Sequence, residues 1–288
     1  MTDTVLILGA HGRFGRNAAE AFGRAGWTVR RFDRKRDALA TAADGADVIV
    51  NAWNPPYPDW ARQVPKIHAQ VRDVARVSGS LVVLPGNVYV FGAQTPTPWS
   101  ADSPHAAANP LGRIRIEMEE AYRNDTVRTL VLRAGDFIDT QNSGNWFDRI
   151  MLAKLTKDTF VYPGDTTTPH AWAFLPDLAR AAVSLAEKRD SLPRFADIPF
   201  PGWTATGDGL AQALGEASGR PLKTRKMNWT VIRLLQPVWP MARSLVEMRY
   251  LWDTPHWLDR GHLDTWLPGF EITPLVDALR QVEAVKAA

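Results

Sequence analysis

Cysteine is absent from this chain of 288 residues. Its absence excludes disulfide bonds, a catalytic thiolate and every zinc site that depends on cysteine ligands. A chain of this length can bury a large hydrophobic core without such crosslinks. Because a protein without disulfides suits a reducing compartment, we expect a cytoplasmic protein.

An excess of charge of either sign is also missing. The 34 lysines and arginines face 31 acidic residues, which leaves a net charge of +3. So small a surplus gives no general footprint for nucleic acid, and we expect no nucleic-acid partner. No apolar run approaches the ~18 residues of a membrane-spanning helix, so we expect no membrane partner either. The 6 histidines lack the spacing of metal ligands, and we predict no metal site.

The first half of the chain alternates strand and helix patterns. Residues 5–8 (VLIL) form a continuous apolar run that ends in glycine, as expected of a strand buried on both faces. A helical pattern follows over 12–25, and further strand patterns lie at 27–32, 47–51, 81–84 and 127–132. Strands separated by helices form right-handed crossovers. We therefore predict an α/β fold with a Rossmann-type, doubly wound parallel sheet.

The second half is less regular and richer in proline, glycine and tryptophan. We predict a Rossmann domain over 1–165, with elements up to about 190 partly returning to it, and a smaller C-terminal substrate lobe over 166–288. A helix is expected over 146–155. The segment 229–252 is predicted to form two amphipathic helices separated by Pro237 and Pro240. Their apolar faces are expected to cover the sheet edge; a substrate pocket, a second subunit and a membrane surface are the alternatives.

The turn after the first strand carries Gly9, Gly12 and Gly15 at the start of the first helix. In this setting the first glycine permits a tight turn, the second lets the backbone approach a pyrophosphate, and the third lets helix and strand pack closely. The N–H groups and positive dipole end of the helix then bind the phosphates. We predict a dinucleotide site here, to which we also assign His11, Arg13 and Phe14.

Asp33 follows the second predicted strand. A carboxylate at this place accepts hydrogen bonds from an adenosine ribose and repels a 2′-phosphate, which favours NAD. Arg34 begins a basic run directly after it, and Arg13 lies in the turn; these guanidinium groups are an alternative that would hold the 2′-phosphate of NADP. We favour NAD and assign Asp33 and Arg34 to the cofactor site.

Together these segments resemble the short-chain dehydrogenase/reductase superfamily, in its extended branch of NAD-dependent epimerases and dehydratases. The resemblance rests on the glycine turn, on Asp33, on DVIVNA at 47–52 with the loop after it, on VYVFG at 88–92, on RAG at 133–135 and on HAW at 170–172. It covers most of residues 1–190. It implies a seven-stranded Rossmann-type sheet, a small substrate lobe, and a cofactor site that includes Asn51, Ala52 and Trp53.

The superfamily's usual catalytic serine, tyrosine and lysine are all substituted. Alignment on residues 90–92 places Asn87 at the serine position. Alignment of the helix at 110–120 on Glu119 places Leu111 at the tyrosine and Arg115 at the lysine. Arg115 can still bind a ribose or phosphate, but a guanidinium does not shuttle protons near neutral pH. The chain thus resembles an atypical member of the superfamily.

Other residues are candidates for the missing chemistry. Tyr89 stands on a loop after a predicted strand, where doubly wound sheets bind their ligands, and its phenol is a candidate donor to a substrate oxygen. Asn87 is a candidate amide donor to the substrate. The alternative for Tyr89 is that its ring packs in the cleft wall, and the alternative for Asn87 is that its amide stabilises the turn. We take Tyr89, Asn87 and Arg115 as the catalytic candidates. Asp136 is interpreted as a cap at a strand exit, and His170 as a histidine bonded to structure.

These residues predict an NAD(P)-dependent oxidoreductase or epimerase-like enzyme that acts on a hydroxyl- or carbonyl-bearing carbon of a small-molecule substrate. The alternative is a non-catalytic NAD(P)-binding sensor or scaffold, because the usual triad is missing. Either is compatible with a homodimer. The 12 tryptophans, among them Trp53, Trp99, Trp146 and Trp172 near the expected cleft, predict an aromatic site for an apolar or flat substrate.

Overall fold

The computed structural model describes residues 2–287. Its strands in chain order are β1 (Thr4–Leu8), β2 (Thr28–Phe32), β3 (Val48–Asn51), β4 (Leu81–Gly86), β5 (Thr129–Arg133), β6 (Asp136–Ile138), β7 (Thr159–Tyr162), β8 (His170–Phe174), β9 (Phe195–Pro199), β10 (Trp203–Ala205) and β11 (Lys223–Lys226). Its helices are α1 (Arg13–Arg24), α2 (Leu39–Ala43), α3 (Trp60–Ser78), α4 (Pro110–Arg123), α5 (Leu175–Glu187), α6 (Gly207–Ser218), α7 (Trp229–Leu235), α8 (Pro240–Met248), α9 (Gly261–Trp266), α10 (Leu275–Gln281) and α11 (Glu283–Lys286). Within this range no helix has both the length and the apolar character needed to cross a membrane.

Six parallel strands form the main sheet, in the order β2-β1-β3-β4-β5-β9. β1, β3 and β5 are buried along their whole length, because helices cover both faces of the sheet. β2 is an edge strand and is largely exposed. The predicted α/β Rossmann-type sheet is confirmed. Its described part has six strands rather than seven, since the segment between β2 and β3 forms only the short helix α2.

Two layers of helices cover this sheet. α1 and α5 pack together on one face, and α3 and α4 on the other. The side chains of Phe14, Ala18 and Phe22 recur at intervals of four along α1, so one stripe of the helix is buried. Trp60 and Val64 begin the equivalent stripe of α3. These periodicities explain why local sequence patterns predict the helices well.

The strand order changes direction at β1. The chain passes from β1 to β2 on one side and then returns to place β3 on the other side of β1. At such a switch point the connecting loops diverge and leave a crevice at the carboxyl ends of the strands. The loops after β4 and β5 open at this same edge because the strands are parallel. The sheet therefore gathers the candidate site residues at one edge.

The remaining strands build smaller layers. β6, β8 and β10 form one sheet, and β7 pairs with β11 in another. β9 returns to the main sheet beside β5, so the chain crosses back to the Rossmann layer after α5. α7 and α8 are separate helices on either side of Gln236–Trp239, as the two prolines predict. The domain boundary at 165 stays a prediction.

One predicted helix differs from the structure. Residues 146–155 do not form a regular α-helix; Phe147–Met151 make a single π-helical turn. The N–H of Leu152 donates to the carbonyl oxygen of Phe147, five residues back, at 2.9 Å. The side chain of Asn145 accepts from the N–H of Asp148 at 3.0 Å and fixes the start of the turn. These local bonds compete with the regular helical pattern and widen the turn.

Candidate active site

The turn between β1 and α1 uses its three glycines in different ways. Gly9 has a φ of +78°, and a Cβ there would lie 2.9 Å from the carbonyl oxygen of Ala52. A Cβ on Gly15 would lie 2.2 Å from the carbonyl oxygen of Gly9, so glycine is needed for α1 to pack on the turn. A Cβ on Gly12 would meet only that same oxygen, at 3.2 Å. Glycine at position 12 therefore avoids one tight contact within the protein, and it also leaves the backbone open to the approach of a ligand.

The N-terminus of α1 is open to a ligand. Gly12 is its N-cap residue, no described side chain caps the first turn, and that turn holds no acidic residue. The first N–H groups of a helix lack intrahelical acceptors and, with the helix dipole, attract an anion. His11 and Arg13 are exposed beside Gly12, whereas the ring of Phe14 is buried in the core and leaves only its backbone for a ligand. The turn therefore fits the pyrophosphate of a dinucleotide.

Arg13 ties this turn to the segment after β6. Its Nε donates to the carbonyl oxygen of Ser143 at 3.1 Å, and its Nη2 donates to that of Gly144 at 2.6 Å. One turn further along α1, Arg16 donates to the carboxylate of Asp139 at 2.7 Å. Because the guanidinium of Arg13 already binds two carbonyl oxygens, it is poorly placed to hold a 2′-phosphate as well.

Asp33 and Arg34 follow β2 and are both exposed at the same edge of the sheet. The carboxylate of Asp33 accepts a hydrogen bond from the N–H of Lys35 at 2.9 Å and lies 3.6 Å from Nε of Arg36. β2 is the immediate neighbour of β1, so this carboxylate lies one strand away from the glycine turn. That is the position from which a carboxylate recognises an adenosine ribose.

The residues after β3 lie on the other side of the turn. The N–H of Ala52 donates to the last carbonyl oxygen of β1 at 3.0 Å, and the indole of Trp53 packs edge-on against Phe32 with ring centroids 5.3 Å apart. Asn51 is buried; its Nδ2 lies 3.3 Å from Nδ1 of His68, and its Oδ1 accepts from the N–H of Trp53 at 3.3 Å. Ala52 and Trp53 thus border the turn, whereas the side chain of Asn51 shapes the loop from inside.

Tyr89 forms a phenol pair with Tyr57. Their hydroxyl oxygens are 2.6 Å apart. The two residues follow the neighbouring strands β4 and β3, whose carboxyl ends meet at the site. Burial raises the pKa of Tyr57; burial, the neighbouring Tyr57 and the charge of Asp136 raise the pKa of Tyr89 well above its usual value. Both phenols are therefore protonated at neutral pH and act as hydrogen-bond donors rather than bases.

The other two catalytic candidates are bound to the protein itself. The Oδ1 of Asn87 accepts from the N–H of Tyr89 at 3.1 Å, so this side chain shapes the loop that carries the tyrosine. Arg115 is buried on α4, donates to the carbonyl oxygen of Pro85 at 3.1 Å, and lies over the ring of Trp60 at 5.6 Å. The ring of Trp60 also packs against Tyr57 and Tyr89, with centroids 5.0 Å and 6.2 Å away, so the guanidinium lies near the phenol pair. Its buried Nε has no partner within residues 2–287.

Asp136 and His170 form a second polar pair at the site. Nε2 of His170 lies 2.8 Å from Oδ2 of Asp136, so the interpretation of Asp136 as a cap is wrong, while His170 is bonded to structure as predicted. His170 is 1% exposed, stacks on Trp252 with centroids 4.4 Å apart, and packs against His256 at 4.3 Å. Burial and the neighbouring His170 lower the pKa of His256 well below its usual value, which keeps that ring neutral.

A buried ion cluster lies behind the loop after β4. Nη2 of Arg133 is 2.6 Å from Oε2 of Glu119 and 2.5 Å from Oδ2 of Asp197, and Nη1 donates to the carbonyl oxygen of Asn87 at 2.6 Å. In the described chain, His105, Glu119 and Asp197 have ligand atoms close enough to surround a metal ion. Arg133 already binds both carboxylates, and its single charge offsets one of their two, so we interpret the cluster as an ion-pair network that supports the loop after β4.

Half of the 12 tryptophans are buried in the hydrophobic core. Trp99, Trp172 and Trp252 are almost completely buried. Trp53 and Trp146 are partly exposed. The prediction of a largely tryptophan-lined site is therefore wrong for the buried rings, and the aromatic pair that meets at the sheet edge is Tyr57 and Tyr89.

Sequence reasoning did not assign a role to Tyr57 or to the pairing of Asp136 with His170. Tyr57 could have been found, because residues after neighbouring parallel strands meet at one edge and the loop after β3 contains a single tyrosine. Asp136 and His170 are 34 residues apart and meet only because β6 pairs with β8. No local spacing indicates that contact.

Comparisons with known proteins agree on the architecture. No protein-family model and no curated protein matches the chain. Solved structures do: MoeE5 in complex with UDP-glucose and NAD is 18% identical over 99% of each chain, with a TM-score of 0.74. UDP-glucose 4-epimerase from Brucella ovis in complex with NAD is 16% identical over 98% of this chain and 97% of that one, with a TM-score of 0.71.

A human structure is similar to the same extent. The human epimerase family protein SDR39U1 (isoform 2) with NADPH is 19% identical over 97% of this chain and 98% of that one, with a TM-score of 0.76. At these identities the similarity establishes the fold. The chain has the same α/β fold as these structures.

Proposed function

We propose that this protein binds NAD and transfers hydride to or from a carbon that bears a carbonyl or hydroxyl group of a small substrate, as an epimerase-like oxidoreductase without the usual catalytic triad. The observation that carries the proposal is the open N-terminus of α1 at Gly12, one strand from Asp33 and on the same sheet edge as Tyr89. The solved structures with this fold that contain NAD or NADPH support it.

The cofactor would be held by residues of three neighbouring loops. The backbone of residues 9–15 would bind the pyrophosphate, the carboxylate of Asp33 the adenosine ribose, and Ala52 and Trp53 would form one wall. His11 and Arg34 are exposed beside these groups. Arg115 lies near the phenol pair, where its guanidinium would donate hydrogen bonds to a ribose or phosphate oxygen of the cofactor. When bound, the nicotinamide supplies reversible hydride transfer.

Tyr89 would donate the proton that accompanies this transfer. Burial raises its pKa, so the phenol holds its proton at neutral pH and is a weaker acid than a free tyrosine. The alkoxide that forms as the carbonyl oxygen gains charge is a still stronger base and would take that proton. The hydroxyl of Tyr57, 2.6 Å away, would then donate to the phenolate and stabilise it. The protonated pair favours the direction in which a carbonyl is reduced.

NAD and NADH should stabilise the protein more than NADP and NADPH. The charge of Asp33 repels a 2′-phosphate, so we expect about a tenfold preference for the unphosphorylated forms. With nucleotide at ~100 times its Kd, the melting temperature should rise by about 5 °C. Differential scanning fluorimetry with the four nucleotides measures both effects.

Asp33→Asn is the matched variant for this comparison. Asparagine keeps the oxygen that accepts from the N–H of Lys35 but removes the charge, so the preference should fall towards one with little loss of stability. Stabilisation by none of the four nucleotides would overturn the cofactor proposal. A preference for the phosphorylated forms would overturn the role of Asp33 alone.

Tyr89→Phe should lower the rate of NADH-dependent carbonyl reduction by about 10²–10⁴-fold with little change in KM, because it removes a proton donor and keeps the ring. The assay follows NADH absorbance with a set of small aldehydes and ketones. Tyr162→Phe is the control, since this buried hydroxyl has no hydrogen-bond partner among the described residues. An unchanged rate in Tyr89→Phe would remove Tyr89 as the donor.

A non-catalytic dinucleotide sensor is the second candidate function. It is favoured by the engagement of Asn87 with the N–H of Tyr89 and of Arg115 with the carbonyl of Pro85, which leaves both side chains in supporting contacts. Tight nucleotide binding without turnover of any carbonyl compound would favour the sensor.

A further inference from the structure

The exposed apolar side chains of this protein are concentrated on one hairpin. We define the α7–α8 tip as residues 231–243. Of the six large apolar side chains that are clearly exposed in the described chain, five belong to the tip: Val231, Leu234, Leu235, Val238 and Trp239. Leu234 is 74% and Val238 78% exposed. Apolar groups clustered in this way on an otherwise polar surface mark an interaction site.

The same region is strongly basic. Between Glu216 and Glu247 the chain contains no acidic residue but six lysines and arginines, although the whole chain is nearly balanced. Arg220 pairs with Asp158 at 3.2 Å. The other five are exposed and form no ion pair within the described residues: Lys223, Arg225, Lys226, Arg233 and Arg243. A partner that complements this surface would therefore offer negative charge to the basic residues and an apolar region to the exposed apolar side chains.

The tip has a defined shape that keeps these groups outward. Nε of Arg243 donates to the carbonyl oxygen of Gln236 at 2.9 Å, which ties the start of α8 to the end of α7. Trp229, at the base of α7, is buried, and its indole N–H donates to the carbonyl oxygen of Pro163. Because the base is anchored in the core, the exposed apolar groups of the tip project from a fixed support.

We propose that the α7–α8 tip docks the protein on the surface of an anionic lipid bilayer. Val238 and Trp239, at the turn, would enter the interface between headgroups and acyl chains, where tryptophan is favoured, while Arg233 and Arg243 contact the anionic headgroups. Insertion of a few apolar side chains alone, or a basic patch alone, does not give stable attachment to a bilayer, but the two together do. The proposal takes up the membrane surface that was one alternative for the segment 229–252 and differs from the expectation, drawn from the lack of a long apolar run, that the protein has no membrane partner.

The docked surface borders the candidate active site without being part of it. α8 packs against the 3₁₀ turn Tyr57–Asp59, which carries the partner of Tyr89. Glu247, near the end of α8, accepts hydrogen bonds from Asn109 and from the N–H of Leu111 at the start of α4. The proposal stands on exposure and charge, and holds whether or not the protein turns over a substrate.

Flotation of the full-length protein with vesicles tests the proposal. We expect the protein to float with vesicles of phosphatidylcholine mixed with phosphatidylglycerol and not with phosphatidylcholine alone. Binding should fall as salt is raised to about 0.5 M, where charges are screened within a few ångströms. Absence of flotation with the anionic vesicles overturns the proposal.

Variants separate the apolar and electrostatic contributions. Leu234→Asp/Val238→Asp should lower binding at least about tenfold, and Arg233→Gln about fivefold. Val77→Asp and Lys66→Gln are the matched controls, since both side chains are exposed on α3 away from the tip. Equal binding by the double variant would overturn apolar docking. A dimer in solution that becomes a monomer in the double variant, without vesicle binding, would assign the surface to a second copy and overturn the proposal.

Discussion

Gly12→Asp is expected to lower the affinity for NAD(H) by about a hundredfold or more while changing the stability of the fold by no more than about 1 kcal/mol. The backbone at Gly12 is extended, so any residue can adopt it, and the new Cβ would meet only one protein atom. An aspartate at this N-cap position binds the free N–H groups of α1 and complements its dipole, which adds about 0.5–1 kcal/mol to stability. The same carboxylate occupies and repels the place of a pyrophosphate. Titration calorimetry and urea unfolding measure the two effects.

Two variants control this experiment. Gly12→Asn is isosteric and neutral, so it should lose less affinity than the aspartate variant and separates steric exclusion from charge. Gly23→Asp adds the same charge to an exposed position of α1 where the nearest atom to a Cβ is 3.9 Å away, and its affinity should be unchanged. If Gly12→Asp bound NAD(H) as tightly as the natural protein, the pyrophosphate would have to bind elsewhere.

Arg133→Met should lower the free energy of unfolding by about 3–5 kcal/mol, because it leaves Glu119 and Asp197 as buried carboxylates without their cation. In the natural protein the charge of Arg133 keeps the pKa of Glu119 below its usual value against the effect of burial. Glu119 therefore contributes to the stability of the natural protein at pH values above its pKa in the unfolded chain. This contribution is lost as the pH falls through its lower pKa in the folded protein.

The variant should show the opposite pH dependence. Burial already raises the pKa of Asp197 in the natural protein, and loss of Arg133 removes the charge that lowers the pKa of both carboxylates. Their destabilising effect should therefore be largest near pH 7 and shrink as the pH falls and they take up protons. Urea unfolding at a series of pH values measures this. Arg128→Met is the control, since its ion pair with Asp190 is exposed and contributes less than about 1 kcal/mol. A loss in Arg133→Met no larger than in Arg128→Met would contradict the assignment.

The main sheet and the glycine turn could be predicted because their causes are local. The apolar run of four residues in β1 has to be buried on both faces. Glycine is required at position 9 by its positive φ and at position 15 by the nearby carbonyl oxygen of Gly9. The helices α1 and α3 follow from apolar stripes that recur every three or four residues. The ends of these elements differ from the prediction by one or two residues.

The site itself was less predictable because its contacts join distant parts of the chain. The pairs Tyr57–Tyr89 and Asp136–His170 depend on which strands are neighbours, and composition does not reveal that. The count of tryptophans likewise says nothing about which rings turn inward, as Trp99 and Trp172 do. The substitutions at 87, 111 and 115 were visible in the sequence, but the buried partners of Arg115 were not.

The two bonds that Arg13 makes to the carbonyl oxygens of Ser143 and Gly144 bear on the thermodynamics of ligand entry. They hold the glycine turn against a loop 130 residues away. A site that is ordered in advance loses little conformational entropy on binding, so more of the interaction energy is realised as affinity. If the turn binds a nucleotide as we propose, Arg13 would act as a preorganising residue through the shape of the turn.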